Sequence, residues 1–488
     1  MIQTVDNFYL SDLVYKSKKD EIEKYIIDTK NYYAFFDKNF SSNEKKTIGE
    51  KIDITLKDYQ DKKYPNNTFF SFFKDEEKRK SKNEDDLIIS IKKDIDKDGK
   101  ENYLAKTGNY IGKFVWQGLE IDIKSRFSNT FLERMLNFAN DIFLDDVSIT
   151  GNEIDKDFDI SKYIIYYMFV QNLEKAFLLG LPKAYKSIEH HEMKLKGKID
   201  INKFIKYDIP FQGKISSVSR EQKEIQEIID VLYKAIKIID NKNKAFLKNI
   251  SHIKSHLKQY KSNNYVSNET INKALKSKAL QNPIFSPYKK VLEYGKFIIN
   301  GNNLEEKKDT NQETYGFIIN VAELFEIYIT KLLQKEFSDW YVESPKIELY
   351  IRPQMFYQRK IIPDIVMKKD NDVLVFDTKY KKMQMRGTKE GIWDVDRNDF
   401  FQINTYMSYY QNHHNKYNLR IGGLLYPMDS FEKEKCHSEN WFENSNTKFI
   451  IDGIDLSNLE DIKDNENKSS TISKEEQVFV NRLGKLLN

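Results

Sequence analysis

Cysteine is almost absent: Cys436 is the single one in 488 residues. A disulfide framework is thereby excluded, and a reducing, cytoplasmic setting is expected. Long apolar runs are missing too. The most apolar window, Tyr163 to Leu181, is interrupted by Gln171, Asn172, Glu174 and Lys175, so it reads as a buried helix and not as a bilayer span. Met1-Ile2-Gln3-Thr4 is not followed by the basic and apolar regions of a signal peptide. Net charge is small, +4 from 79 basic and 75 acidic residues, so a nucleic-acid partner has to be argued from local patches. No G-x-x-x-x-G-K-[ST] loop occurs. Gly108-Asn109-Tyr110-Ile111-Gly112-Lys113-Phe114 fails both its spacing and its hydroxyl, and nucleotide hydrolysis by the chain itself is not expected. His252 and His256 have helical metal-ligand spacing but no accompanying Glu or Cys, which argues against zinc.

What is present suits a globular protein: 40% hydrophobic and 14% aromatic residues. At roughly 150 residues per domain the length allows about three domains. The first hundred residues say least, with a possible helix at Ile22–Tyr33, an aromatic run at Phe69–Phe73 and charge runs at Asp75–Lys82 and Asp94–Glu101. Tyr110–Trp116 and Leu119–Ile123 around Gln117-Gly118 predict a hairpin. Thr130 with Glu133 offers a capping box for an amphipathic helix. Helices are expected over Tyr163–Leu179, Glu221–Ile239 and Asn272–Leu280, with a basic β-like segment at Lys194–Asp200 between the first two. The polar stretch Asn302–Gln312 marks a boundary. Beyond it, the pattern predicts a helix over Tyr315–Phe337, strands near Ile347–Ile351 and Ile421–Tyr426, a helix over Asp399–Tyr410, a strand at Phe449–Ile451 and a closing helix at Lys474–Leu487. The division is a β-rich module at 1–145, a helical region at 146–300 and an α/β domain at 301–488.

The chemistry concentrates at Ile361-Ile362-Pro363-Asp364-Ile365-Val366 and Val373-Leu374-Val375-Phe376-Asp377-Thr378-Lys379. These apolar runs flank a polar turn and read as a hairpin. Strand alternation puts Asp377 and Lys379 on one face. If Val366 pairs with Val375, Asp364 meets Asp377. Two carboxylates so placed need a neutralising partner, and hard cations such as Mg²⁺ take carboxylate and carbonyl oxygens, here Asp364, Asp377 and the Thr378 carbonyl. Lys379 would polarise the attacking water and stabilise charge on a scissile phosphate. Glu326, at the edge of an apolar helical stripe, is the candidate auxiliary ligand or water-orienting group, ahead of Glu323. Gln402 and Tyr406 share a helix face at i and i+4. They are candidates for DNA-backbone contact or for support of the metal site, and Lys381, Lys382 and Arg386, in a basic stretch continued by Lys389 and Arg397, are candidates for phosphate contact. The plainer readings are a solvated glutamate, an edge-strand pair of aspartates capped by lysines, an idle surface helix and a solubilising lysine-rich loop.

Pro363-Asp364 followed by Asp377-Thr378-Lys379 resembles the PD-(D/E)xK nuclease core. The order Phe325-Glu326, Pro363-Asp364, Asp377-Thr378-Lys379-Tyr380-Lys381, Gln402-x-x-x-Tyr406 is similar to the McrC family, the nuclease subunits of McrBC-type and LlaJI-type restriction systems. Upstream, Ile111-Gly112 through Leu119-Glu120-Ile121-Asp122-Ile123-Lys124, Phe131 to Leu136, and Leu195-Lys196-Gly197-Lys198-Ile199-Asp200 extend the likeness over roughly residues 105 to 430. Ile123-Lys124 departs from the expected Pro-Lys. The resemblance implies a restriction-endonuclease-like C-terminal domain behind a mixed β-rich and helical N-terminal region. It implies a Mg²⁺-dependent endonuclease (Mn²⁺ substituting) that cleaves foreign DNA and docks on a McrB-like AAA+ GTPase hexamer, stimulating its GTP hydrolysis, with the motor contact expected in the N-terminal module at 1–145. The alternatives are a standalone repair or recombination nuclease and a non-catalytic adaptor of the motor.

Overall fold

The structure is a computed structural model. It describes residues 2–6, 33–34, 42–59, 67–70, 87–95, 101–117, 119–127, 129–139, 160–242, 244–306, 316–349, 360–381, 395–413, 415–428, 436–442, 446–459 and 465–487. The chain forms two compact units, one from residues 1–161 with 312–488 and the other from 162–311. The first and last of the three expected regions therefore share one unit, and the middle region overlaps the second. The expected helix at Ile22–Tyr33, apart from Tyr33 itself, the charge run at Asp75–Lys82, and Lys382, Arg386 and Lys389 lie outside the described residues.

One sheet of the first unit joins its two stretches of chain, before residue 162 and after residue 311. Its strands are β1 (Ile2–Val5), β2 (Asn67–Phe70), β3 (Tyr110–Trp116), β4 (Leu119–Lys124) and, after helix α1 (Asn129–Ala139), β5 (Gly316–Asn320). The order is β1-β4-β3-β5-β2. The β3–β4 hairpin pairs Trp116 with Leu119 across the expected turn, with Gln117 at φ 45°. A meander of Lys51–Thr55, Leu87–Ile95, Glu101–Thr107 and Tyr33–Ala34 forms a second sheet in the same unit. Helix α1 starts at Asn129, one residue ahead of the expected Thr130 cap.

β5 corrects the sequence reading, which ran a helix through it. Ile318 pairs with Gly112 on one side and Phe69 on the other. The helix α2 (Val321–Glu336) begins only where Asn320 caps it, its side chain accepting from the N–H groups of Ala322 and Glu323. Ile318 and Ile319 fit the helical stripe of α2 by spacing, but are buried in the sheet.

The sheet that carries the candidate chemistry is mixed. Its strands are β6 (Tyr341–Glu343), β7 (Ile365–Lys369), β8 (Asp372–Thr378), β9 (Asn418–Met428), β10 (His437–Asn440) and β11 (Lys448–Asp455), in the order β6-β7-β8-β9-β11-β10. β7 and β8 are antiparallel with Val366 opposite Val375, and Asp370 turns the corner at φ 52°, a conformation its short polar side chain tolerates. β8 and β9 run parallel, so β8 is interior and its Val-Leu-Val-Phe run is buried on both faces. Helix α3 (Arg397–Asn412) packs on β8 and β9. Val373, Val375, Ile403, Tyr406, Met407 and Tyr410 share one core cluster there. A Cβ at Gly422 would run into the Met407 side chain, so glycine there leaves room for helix α3 to pack on β9. Helix α4 (Asn465–Leu487) covers β11 and reaches α1.

The second unit holds an antiparallel sheet in which Lys183–Glu192 pairs along its length with Ile215–Glu224, and Lys198–Ile199 adds a short third strand. This corrects a second expectation. Glu221–Glu224 end a strand, and the helix starts at Gln226, running to Lys242. A ten-residue ladder outweighed helical spacing. Helices at Ser251–Tyr260, Asn268–Leu275 and Pro287–Glu306 complete the unit.

Candidate active site

Asp364 immediately precedes β7, and Asp377 is the penultimate residue of β8. The hairpin register places them together, as the Val366–Val375 pairing requires. Both are nearly sealed, at 3% and 1% exposure. Thr378 holds Asp364 twice: its N–H and its hydroxyl each donate to Asp364 Oδ2 at 2.7 Å. Asp377 Oδ2 lies 2.7 Å from Lys379 Nζ.

Helix α3 supplies the rest. Lys379 Nζ donates to Gln402 Oε1 at 2.7 Å, and Gln402 Nε2 donates to the Tyr406 hydroxyl at 2.9 Å. Gln402 and Tyr406 are thus brought to the site, but as supports of the lysine. Asp399, 4% exposed in the first turn of α3, presents Oδ1 3.3 Å from Lys379 Nζ and Oδ2 2.7 Å from Lys381 Nζ. Asp396 caps that turn, accepting from the N–H groups of Asn398 and Asp399, and the helix N-terminus favours a carboxylate. The hydroxyl of Tyr426, from β9, lies 3.4 Å from Asp399 Oδ2.

The electrostatics follow from burial. Burial alone would lower the Lys379 pKa, but Asp377, Asp399 and Asp364 more than offset it and hold the ammonium above the ordinary lysine range. Burial, then Asp399 and Asp377, push the Tyr426 phenol well up, so it stays a donor. Tyr380, next in chain to Lys379, is anchored from the N-terminal half. The Arg126 guanidinium lies 5.0 Å from its ring, and Phe127 and Phe325 meet it edge-on or tilted. Asp6, at the end of β1, accepts from the Arg126 N–H at 2.6 Å, and its burial pushes the carboxyl up to about 6 against the pull of Arg126.

Two buried carboxylates and the adjoining Thr378 carbonyl form a hard-oxygen donor set that suits a cation such as Mg²⁺, which keeps several waters and takes one or two protein carboxylates. A richer cage is not there: among the described residues no three His, Cys, Asp or Glu side chains gather as metal ligands. Glu326, buried on α2, is therefore not joined with both aspartates. Lys381 is half-exposed at the margin, while Arg397 sits over the Phe401 ring 5.2 Å away. Asp399 and Tyr426 were missed as site residues. Asp399 had a signal, since it lies three and seven residues before Gln402 and Tyr406, on one helical face.

Fold and site together define a mixed α/β protein with a buried Asp–Asp–Lys centre at the joint of a hairpin and a helix. The family model described as "McrBC 5-methylcytosine restriction system component" matches residues 105–427, and the chain belongs to that family. None of the curated proteins matches it in sequence. Among solved structures it is similar to a chain of the Thermococcus gammatolerans half-complex of McrB AAA+ hexamers with bound McrC, at 16% identity and TM-score 0.41, covering 79% of this chain and 84% of that one. A chain of the Thermococcus gammatolerans McrBC complex is similar at 15% identity and TM-score 0.26, with 48% and 68% covered. No helix among the described residues is long and apolar enough to cross a membrane.

Proposed function

We propose that the chain is the nuclease subunit of a McrBC-like restriction system, a PD-(D/E)xK endonuclease that hydrolyses foreign DNA with Mg²⁺. The observation that carries this reading is the pair of buried carboxylates at the adjoining ends of two paired strands with Lys379 held beside them. Membership of the restriction-component family supports it. When bound by Asp364, Asp377 and the Thr378 carbonyl, the cation supplies Lewis acidity and charge neutralisation at the scissile phosphate. The protein's own share is positional. Thr378 fixes Asp364, Gln402 and Tyr406 steady Lys379, and Lys379 offers its ammonium to charge growing on the phosphate. Lys381, with Lys382 and Arg386 further along, supplies backbone phosphate contacts. Glu326 serves at most to orient water.

Without a phosphate loop in its sequence, the chain takes its motor in trans. A McrB-like AAA+ GTPase hexamer is the proposed partner, its GTP hydrolysis stimulated by docking. The motor contact is expected in the N-terminal module at 1–145; the exposed Met193, Ile201, Ile205, Ile209 and Phe211 support a second contact surface on the 162–311 unit.

Plasmid cleavage with Mg²⁺ tests this, using the chain and its Asp377→Ala variant with and without the motor and GTP. Cleavage that needs the motor and is lost in the variant supports the restriction-subunit reading. Motor-independent cleavage moves the assignment to a standalone nuclease. Faster GTP hydrolysis by the motor without any cleavage moves it to an adaptor.

A further inference from the structure

Lysine ammonium groups have three N–H donors. Lys379 donates to Gln402 Oε1 at 2.7 Å and forms ion pairs with Asp377 Oδ2 at 2.7 Å and Asp399 Oδ1 at 3.3 Å. Two of the three come from one face of α3, at positions three apart. The Asp399 carboxylate is itself fixed at its other oxygen, by Lys381 Nζ at 2.7 Å and the Tyr426 hydroxyl at 3.4 Å. A flexible four-carbon stem is thereby given a defined end-point, and the extra carboxylate balances a second cation brought to the same margin.

We infer that Asp399 is a positioning residue of this site: its carboxylate aims the Lys379 ammonium and ties Lys381 to the same point. The inference rests on the nuclease reading for its consequence in catalysis, but the contact itself can be probed separately. A carboxylate that acts through Lys379 should govern the chemical step and leave DNA affinity nearly untouched, because misplacing a catalytic group by about an ångström costs on the order of a hundredfold.

The test uses the full chain with its motor, GTP, Mg²⁺ and plasmid, and compares Asp399→Asn, Asp399→Glu, Lys379→Arg and the Asp399→Asn/Lys379→Arg double variant. Asp399→Asn should lower kcat by about 10- to 100-fold with KM moving less than about threefold. Asp399→Glu should recover part of that loss. In the Lys379→Arg background the Asn substitution should add less than about a threefold further loss, since the two residues act as one unit. Asn404→Ala on the same helix, which removes the acceptor of the Trp441 N–H, perturbs α3 away from Lys379 and should keep kcat.

A second readout needs no DNA: acylation of Lys379 by an amine-reactive ester, followed by mass spectrometry. It should quicken in Asp399→Asn and stay unchanged in Asn404→Ala. A kcat within threefold of the parent, a loss confined to KM, multiplicative losses in the double variant or unaltered acylation would each overturn the inference. If the parent itself fails to cleave, the nuclease reading falls, and acylation still decides whether Asp399 holds Lys379.

Discussion

Two buried networks of charge lie in the same unit, and they are built to opposite ends. In the first, Arg134 Nε and Nη2 grip both oxygens of Glu476 at 2.9 and 2.6 Å, the Tyr328 hydroxyl donates to the same carboxylate at 2.7 Å, and the Phe138 ring covers the guanidinium. One cation meets one anion, with each oxygen bonded. It staples α4 to α1 and α2. In the second, the lysines Lys379 and Lys381 face three carboxylates, Asp364, Asp377 and Asp399. Among the described residues two lysines thus meet three carboxylates, and the network opens where Lys381 is half-exposed. A closed neutral pair leaves no buried charge uncompensated, whereas concentrated buried charge is a cost that a functional site retains for a ligand.

Substitutions can break this contrast. The largest effect belongs to Asp377→Ala, which should lower plasmid cleavage by about a thousandfold or more while leaving the melting temperature unchanged or higher. A matching fall in melting temperature would place Asp377 with the structural network. Next comes Arg134→Leu, which strands the Glu476 carboxylate and should cost about 3–5 kcal/mol in denaturant unfolding, with cleavage per folded molecule retained. Adding Glu476→Leu should return much of that loss, because no buried charge then lacks its partner.

A smaller effect concerns Asp6, whose folded pKa of about 6 lies above the ordinary 3.8. For an acid with its pKa raised by folding, stability is fully present below pH 3.8 and is lost as pH rises through about 6, by at most about 3 kcal/mol. Asp6→Asn should therefore match the parent in unfolding titrations near pH 3.5 and gain on it up to pH 7. A pH-independent difference would count against the raised pKa. The smallest effect is expected for Glu326→Gln, less than about tenfold in rate, with the Mg²⁺ concentration dependence unaltered. A large shift in that dependence would restore Glu326 as a ligand.

The centre of the site was legible because its geometry is local. A short polar turn and β alternation fix the register of two strands, so the meeting of Asp364 with Asp377 follows from the residues between them. Helix α3 was legible as well, although it starts at Arg397 and runs to Asn412, two residues beyond the expectation at each end. The role of Gln402 was not. Its position left DNA contact and support of the metal site both open, and only the fold turns its side chain inward to Lys379. Asp399 was passed over although it shares a helical face with Gln402 and Tyr406, since spacing alone does not say that this face will meet a segment twenty residues away. In the second unit, Lys183–Glu192 was not anticipated as a strand at all, since its charged residues hide the alternation that its partner supplies.

By itself the sequence determined the β7–β8 hairpin, the helices with a clear apolar stripe and a reading of the chain as lacking its own phosphate loop. All of these depend on residues a few positions apart, where turn chemistry and side-chain period act directly. Only the tertiary structure decided that Gly316–Asn320 is a strand, that residues near both ends share one unit, and that Asp399, Gln402 and Tyr406 converge on Lys379. Those outcomes turn on pairings such as Ile318 with Gly112, about two hundred residues apart, where open hydrogen-bonding edges and buried surface outweigh local propensity.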